Sequence, residues 1–170
     1  MKVILTAAVS ANGMIATKDG SEDFLPHANW IQFISLARKT GNFIWGRKTY
    51  ETVTKWGDDY FKDLKGVKKI IISKKNLNLK EGFELAHSPE EAIKILENYG
   101  YKEAVVAGGS TIYTEFVKKE LADEIIFDLN PSILGSGIPV FQSSLFELSL
   151  ELINSQEFPD GILELHYRVK

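Results

Sequence analysis

The stretch VVAGGSTIYTEF, Val105 to Phe116, decides how this chain is read. An apolar run ends on two adjacent glycines, and a pattern with helical spacing begins at Ser110-Thr111. Adjacent glycines cost backbone entropy and pack nothing themselves, so their place at a strand-to-helix junction needs a reason. Backbone without side chains lets a ligand come close. The first N–H groups of a helix have no internal partners and stand at the positive end of its dipole. Together these make an anion site, to which Ser110 and Thr111 add hydroxyls. The competing reason is tight helix–sheet packing, and the sequence weighs the two evenly. The spacing is not G-x-G-x-x-G, so the ordinary dinucleotide fingerprint is not met.

Two further junctions repeat this logic. In FIWGRKTYE, a short strand Asn42 to Trp45 reaches Gly46, and a helix opens on Arg47-Lys48-Thr49. Two cations at a helix N-terminus oppose the dipole, and an anionic ligand reverses that cost. Arg47 offers bidentate phosphate recognition and Lys48 a mobile point charge. The plain alternative is a pair of solvated surface cations. Ser73-Lys74-Lys75 follows the strand KKIIIS in the same manner. Three phosphate-compatible junctions suggest a long ligand with several phosphates.

The remaining pattern alternates strand and helix. Val3 to Val9 reads as a buried strand, residues 10–28 as a long loop, and Trp30 to about Lys39 as a helix capped by Asn29. Residues 54–66 read as a polar loop carrying aromatics. SPEEAIKILENYG is a helix with Ser88 at the cap, Pro89 at its first position, Glu91 completing a capping box and Gly100 ending it. DEIIFDL, 123–129, is a further strand. Two alternating segments, 145–157 and 161–169, read as a hairpin joined at Pro159-Asp160-Gly161. The expected fold is α/β, one domain over residues 1–170, with a mainly parallel central sheet flanked by helices and a C-terminal antiparallel hairpin. Such sheets bind ligands beyond the carboxyl ends of their strands.

Composition bounds the function. The chain has 170 residues, 44% hydrophobic and 25% charged, with net charge -3 and no cysteine. Thiolate metal sites, disulfides and cysteine nucleophiles are excluded, and nothing in the charge pattern suggests a nucleic-acid footprint. No apolar run reaches membrane-spanning length, and VILTAAVS reads as a first strand rather than a signal segment, so a cytoplasmic protein is expected. His27, His87 and His166 lack metal-ligand spacing, and no metal is expected.

These pieces, in order, resemble the dihydrofolate reductase superfamily over almost the whole length: the opening strand with Ala7-Ala8, NGMIA, a long loop, a helix, GRKTYE, KKIIIS, AGGSTIY, DEIIFDLNP and a closing hairpin. The resemblance implies NADPH as cofactor. Gly46, Arg47, Lys48 and Thr49 would hold its adenosine-side phosphates, Ser73 and Lys74 would flank the 2′-phosphate, and Gly108, Gly109, Ser110, Thr111 and Ile112 would cradle the pyrophosphate. Ala8 and Ile15 would line the nicotinamide pocket. Thr6, Ala7, Trp30, Ile31, Ile34, Val53 and Tyr113 are the expected substrate contacts.

The superfamily has a folate branch and a riboflavin-pathway branch that reduces a ribosylamino-pyrimidine phosphate. GRKTYE and the compact length resemble the first; ILGSGIPVF, 133–141, and NGMIA resemble the second. Dihydrofolate is the leading expected substrate, the riboflavin-pathway pyrimidine the alternative, and NADPH binding without catalysis a third reading. Three departures from the folate pattern stand out. The first helix has Ala28 or Trp30 where folate reductases carry an acid. Val67 stands where they carry an Arg that clamps the glutamate tail. Asp128 falls where a Thr normally partners the missing acid. Asp128 or Asp23 is therefore a candidate proton source, with Tyr113 close to the reacting carbon, and residues 16–28 are a candidate lid. Asp128 has an equally weighted plain reading as an edge-strand residue. A small pterin or pyrimidine is the expected partner, and the chain reads as a monomer or a homodimer.

Overall fold

Runs of Val, Ile and Leu become strands covered on both faces. The structure is a computed structural model that describes all 170 residues. Its elements are β1 (Lys2–Ser10), β2 (Met14–Ala16), α1 (His27–Thr40), β3 (Asn42–Gly46), α2 (Arg47–Trp56), α3 (Asp59–Lys62), β4 (Lys68–Ile72), β5 (Phe83–Ala86), α4 (Pro89–Asn98), β6 (Glu103–Val106), α5 (Ser110–Lys118), β7 (Glu124–Asn130), β8 (Ile138–Pro139), β9 (Leu150–Phe158) and β10 (Ile162–Val169). Eight strands form one sheet in the order β5-β4-β3-β6-β1-β7-β10-β9. The first six run parallel, and the β9–β10 hairpin adds antiparallel pairs at one edge. No helix is long and apolar enough to cross a membrane.

Because side chains alternate across a strand, β1 divides its residues between two layers. Val3, Leu5, Ala7 and Val9 join a cluster with Phe116 and Ile125. The opposite face packs an aromatic cluster built on Phe43, Trp45 and Tyr50 beneath α1 and α2. Buried Asn42 ties β3 to β6: its amide donates to the Glu103 carbonyl at 2.8 Å and its oxygen accepts from the Val105 N–H at 3.3 Å.

The structure moves several expected boundaries. α1 starts at His27 with Pro26 at the cap, so Asn29 lies inside the first turn, its N–H donating to the Pro26 carbonyl at 3.0 Å. Residues 54–66 are largely helical, because α2 runs to Trp56 and α3 follows. Apolar Trp56, Tyr60 and Phe61 give that segment a packing face. The short strand β2 lies in the segment expected to be loop, β5 and β8 lie in segments to which the sequence assigns no element, and β9 begins at Leu150 rather than 145. At α4 the cap is as expected: Ser88 Oγ accepts from the Glu91 N–H at 3.1 Å, while the Glu91 carboxylate takes the N–H of His87 at 2.7 Å.

Candidate active site

A cleft of about 800 Å³ opens beyond the carboxyl ends of β1, β6 and β7, between the loop after β2 and helices α1 and α2. Its floor is Thr6 and Ala8 from β1, Asp128 from β7 and Ala107 to Gly109 after β6. These share one rim because β1 pairs with β7 in a register that sets Ala8 opposite Asp128. One wall is aromatic, with Trp30 and Phe33 of α1, Trp45 of β3, Trp56 of α2, and Tyr60. Trp30 meets Tyr60 edge-on at 5.2 Å between centroids and Trp56 at 6.3 Å, so the rings brace one another. The loop after β2 supplies the far wall, including Glu22, Asp23, Leu25 and Pro26.

The polar groups of this cleft are poorly satisfied by the protein itself. Asp128 is only 5% exposed, and its Oδ1 has no hydrogen-bond partner. Burial, with Glu164 opposite it on β10 as a like charge, pushes its carboxyl up to about 7, against a smaller opposing effect of the Asn29 side chain. Burial also pushes Glu22 up to about 7. Asn29, 7% exposed, has an unpartnered Oδ1. Tyr113 Oη donates to the Thr6 carbonyl at 2.5 Å, and burial beside Glu22 and Asp128 drives its pKa upward. That hydroxyl is therefore held as a donor to the backbone. Tyr113 lines the cleft, as expected of a residue near the reacting carbon, with its hydroxyl turned to the Thr6 carbonyl.

The structure shows the packing reason for the glycines directly. Gly108 has φ +126°, and a Cβ on Gly108 or Gly109 would stand 3.1 or 3.0 Å from Thr49 Oγ1. Gly46 donates its N–H to the Gly108 carbonyl at 2.7 Å, and a Cβ there would fall 2.6 Å from Ile112 Cγ1. Packing thus requires them. Yet α2 and α5 both start at these glycines with no capping side chain and no acidic residue in the first turn, and Ser110 Oγ is buried without a partner. β3 and β4 pair with Gly46 opposite Ile72, so Arg47-Lys48 and Ser73-Lys74 leave neighbouring strands at one level. Arg47 donates to both carboxylate oxygens of Glu51, at 2.7 and 2.9 Å. Lys48 and Lys74 are exposed and form no ion pair, as does Lys75. Ser73 is buried, and its Oγ accepts the Lys75 N–H at 3.1 Å.

Of the expected substrate and nicotinamide contacts, Thr6, Ala8, Ile15, Trp30, Val53 and Tyr113 line the cleft. Ala7, Ile31 and Ile34 do not. Ala7 faces the opposite layer, as strand alternation demands once Thr6 and Ala8 face the cleft. Ile31, a third of a helical turn from the packed face of α1, is 57% exposed, and Ile34 is buried in the aromatic core. Ile112 is a core residue whose N–H already bonds the Gly109 carbonyl at 2.8 Å, so it has nothing to offer a phosphate. Thr111 faces Gln142, whose side-chain amide donates to its hydroxyl at 2.9 Å. Asp23 lines the cleft but is exposed; the half-buried loop carboxyl is its neighbour Glu22. Sequence reasoning also passed over Asn29. Its signal was a polar residue on the apolar side of an amphipathic helix, which was read as a cap.

A crossover parallel sheet with its cleft at the strand ends, two uncapped helix starts at glycines and a closing hairpin define a dihydrofolate reductase-like domain. Within that class the chain belongs to the RibD C-terminal domain family, whose model matches residues 1–163. It is 29% identical to the uncharacterized protein YwjB of Bacillus subtilis strain 168, over 98% of this chain and 97% of that one. A structure from Shewanella sp. PV-4, provisionally named a riboflavin biosynthesis protein, is 25% identical with a TM-score of 0.84, covering 100% of this chain and 99% of that one. The Thermotoga maritima diaminohydroxyphosphoribosylaminopyrimidine deaminase/5-amino-6-(5-phosphoribosylamino)uracil reductase shares the fold at 17% identity and a TM-score of 0.73; the match covers 99% of this chain and 56% of that one.

Proposed function

We propose that the chain is an NADPH-dependent reductase of a planar pyrimidine-type heterocycle of the riboflavin-pathway kind. This replaces dihydrofolate as the leading substrate. Membership of the RibD C-terminal domain family supports the change. So does the cleft, because no Lys or Arg lines it to hold a glutamate tail. Val67, at the place of the folate clamp, is 6% exposed inside the aromatic core.

The residues present fit the cofactor. The uncapped starts of α2 and α5 and the unpartnered Ser110 Oγ suit a diphosphate. Lys48 and Lys74, free of ion pairs, suit a further phosphate, and Ala8, Ile15 and Ala107 offer a small apolar seat for a ring. When bound, the cofactor supplies the hydride. Reduction across a C=N bond places that hydride on carbon and requires a proton on nitrogen. Asp128 suits that step, since its carboxyl, pushed up to about 7, is protonated in a substantial fraction of molecules at neutral pH and its Oδ1 has no protein partner. Tyr113 fixes the Thr6 carbonyl beside it, and the aromatic wall excludes water and stacks the ring.

The single observation that carries the reading is the juxtaposition of Asp128 with the Gly108-Gly109 junction in one cleft. Loss of NADPH absorbance on adding a ribosylaminouracil substrate tests it, with dihydrofolate as the comparison. Oxidation with dihydrofolate alone would return the assignment to the folate branch.

A further inference from the structure

The cleft is lined by acids and by no Lys or Arg: Glu22, Asp23 and Asp128 contribute to its wall and floor. The lysines that follow β3 and β4, Lys48, Lys74 and Lys75, form no ion pair and stand outside that lining. The one imidazole on this rim, His27, is solvent-exposed and shares it with Glu22 and Asp23. The polar atoms left without partners there are acceptors: Asp128 Oδ1 and Asn29 Oδ1, both on residues more than nine-tenths buried. A buried acceptor without a donor is costly, and a ligand N–H relieves it. The start of α1 also faces the cleft, with Pro26 at its cap and no capping side chain. Unlike the starts of α2 and α5, this one shares the cleft lining with two acids, Glu22 and Asp23, and its Asn29 N–H already donates to the Pro26 carbonyl at 3.0 Å, so a neutral carbonyl oxygen suits the remaining N–H groups better than an anion.

We propose that the substrate half of this cleft selects an aromatic heterocycle that presents ring or amino N–H donors and bears no phosphate or carboxylate. This rests on the reductase reading above and narrows it: the chain handles the dephosphorylated ribosylamino or ribitylamino pyrimidine rather than its phosphate ester. A phosphate dianion entering this half meets the exposed carboxylate of Asp23 and the Glu22 carboxyl, which has no solvation to spare for a second negative charge, with no Lys or Arg to compensate. The flat ring itself is accommodated by Trp30, Trp45 and Trp56. The acceptors on Asp128 and Asn29 take its donors.

The experiment is calorimetric titration of the NADP⁺-saturated protein with 5-amino-6-ribitylaminouracil and, separately, with its 5′-phosphate. The phosphate-free compound should bind at least ~10-fold more tightly, the scale of an uncompensated like-charge contact. The Glu22→Gln, Asp23→Asn double variant should narrow that ratio to about threefold or less by relieving the repulsion. Equal or tighter binding of the phosphate ester to the unmodified protein overturns the inference and leaves the reductase reading standing. Binding of neither pyrimidine overturns the inference together with the pyrimidine reading.

Discussion

Asp128→Asn separates stability from function at this site. The carboxyl moves from an ordinary 3.8 to about 7 on folding, first because it is buried and then because Glu164 faces it. The folded-state value lies above the unfolded one, so the native protein holds an extra proton between these limits. This group's contribution to stability is therefore complete below pH 3.8 and is lost as pH rises through 7. A displacement of this size corresponds to about 4 kcal/mol, at 1.36 kcal/mol per pH unit. That is a large share of a typical domain stability of about 5–15 kcal/mol. Asparagine keeps the shape and does not ionise. Urea unfolding from pH 4 to pH 9 should show the variant near wild type at pH 4, about 2 kcal/mol more stable near pH 5.5 and about 4 kcal/mol more stable above pH 7.5. At the same time, if Asp128 supplies the proton, kcat should fall roughly 10²–10⁴-fold. A more stable and less active protein is the signature of a group strained for function. A stability difference that stays flat across the pH range would refute the argument, because the carboxyl would then not be forced neutral by the fold.

Three further outcomes follow from the same geometry. Glu22→Gln should also stabilise the protein above pH 7, by less than Asp128→Asn because Glu22 keeps some solvent contact, and the double variant should flatten the stability profile between pH 4 and 7; urea titrations at paired pH values read both. Gly46→Ala places a Cβ 2.6 Å from Ile112 Cγ1 and should cost about 1–3 kcal/mol, seen as a lower midpoint in thermal unfolding. Lys74→Ala should raise the Kd for NADPH roughly 5- to 30-fold and leave that for NADH within about twofold, since only the former carries the extra phosphate; equal losses for both would remove Lys74 from that role.

Much of the fold was legible because its signals are local. Buried strands announce themselves as unbroken Val and Ile runs, and the Ser88-Pro89-Glu91 start of α4 is written in four residues. The short strands were not legible. β5 pairs only with β4, and β2 only with β8, so they exist by virtue of partners distant in the chain. At the cleft, alternation along β1 could have excluded Ala7 as soon as Thr6 and Ala8 were chosen, which the resemblance alone did not do. The choice between Glu22 and Asp23 was closed to sequence. Adjacent carboxylates in a loop carry no periodicity, and only the path of residues 17–26 over the cleft decides which one is the more shielded from water.

The position of the acid bears on how such a cleft can change substrates without changing its fold. A carboxylate on a helix would reach the reacting ring from one wall. Here the first turn of α1 contributes the amide of Asn29, and the carboxyl rises from the floor on β7, opposite Ala8 on β1. A strand position is held by ladder hydrogen bonds on both sides, to β1 and to β10, so the acid is fixed more firmly than a side chain on a helix end. It also brings Glu164 within reach as a like charge from β10. The C-terminal hairpin thereby does more than close the sheet, because it supplies one of the two causes that keep Asp128 protonated near neutrality. Changing Glu164 to Gln should lower the Asp128 pKa without touching the cleft. The pH dependence of catalysis would then shift toward acid while affinity for the cofactor stays constant, and an unmoved profile would leave burial as the sole cause.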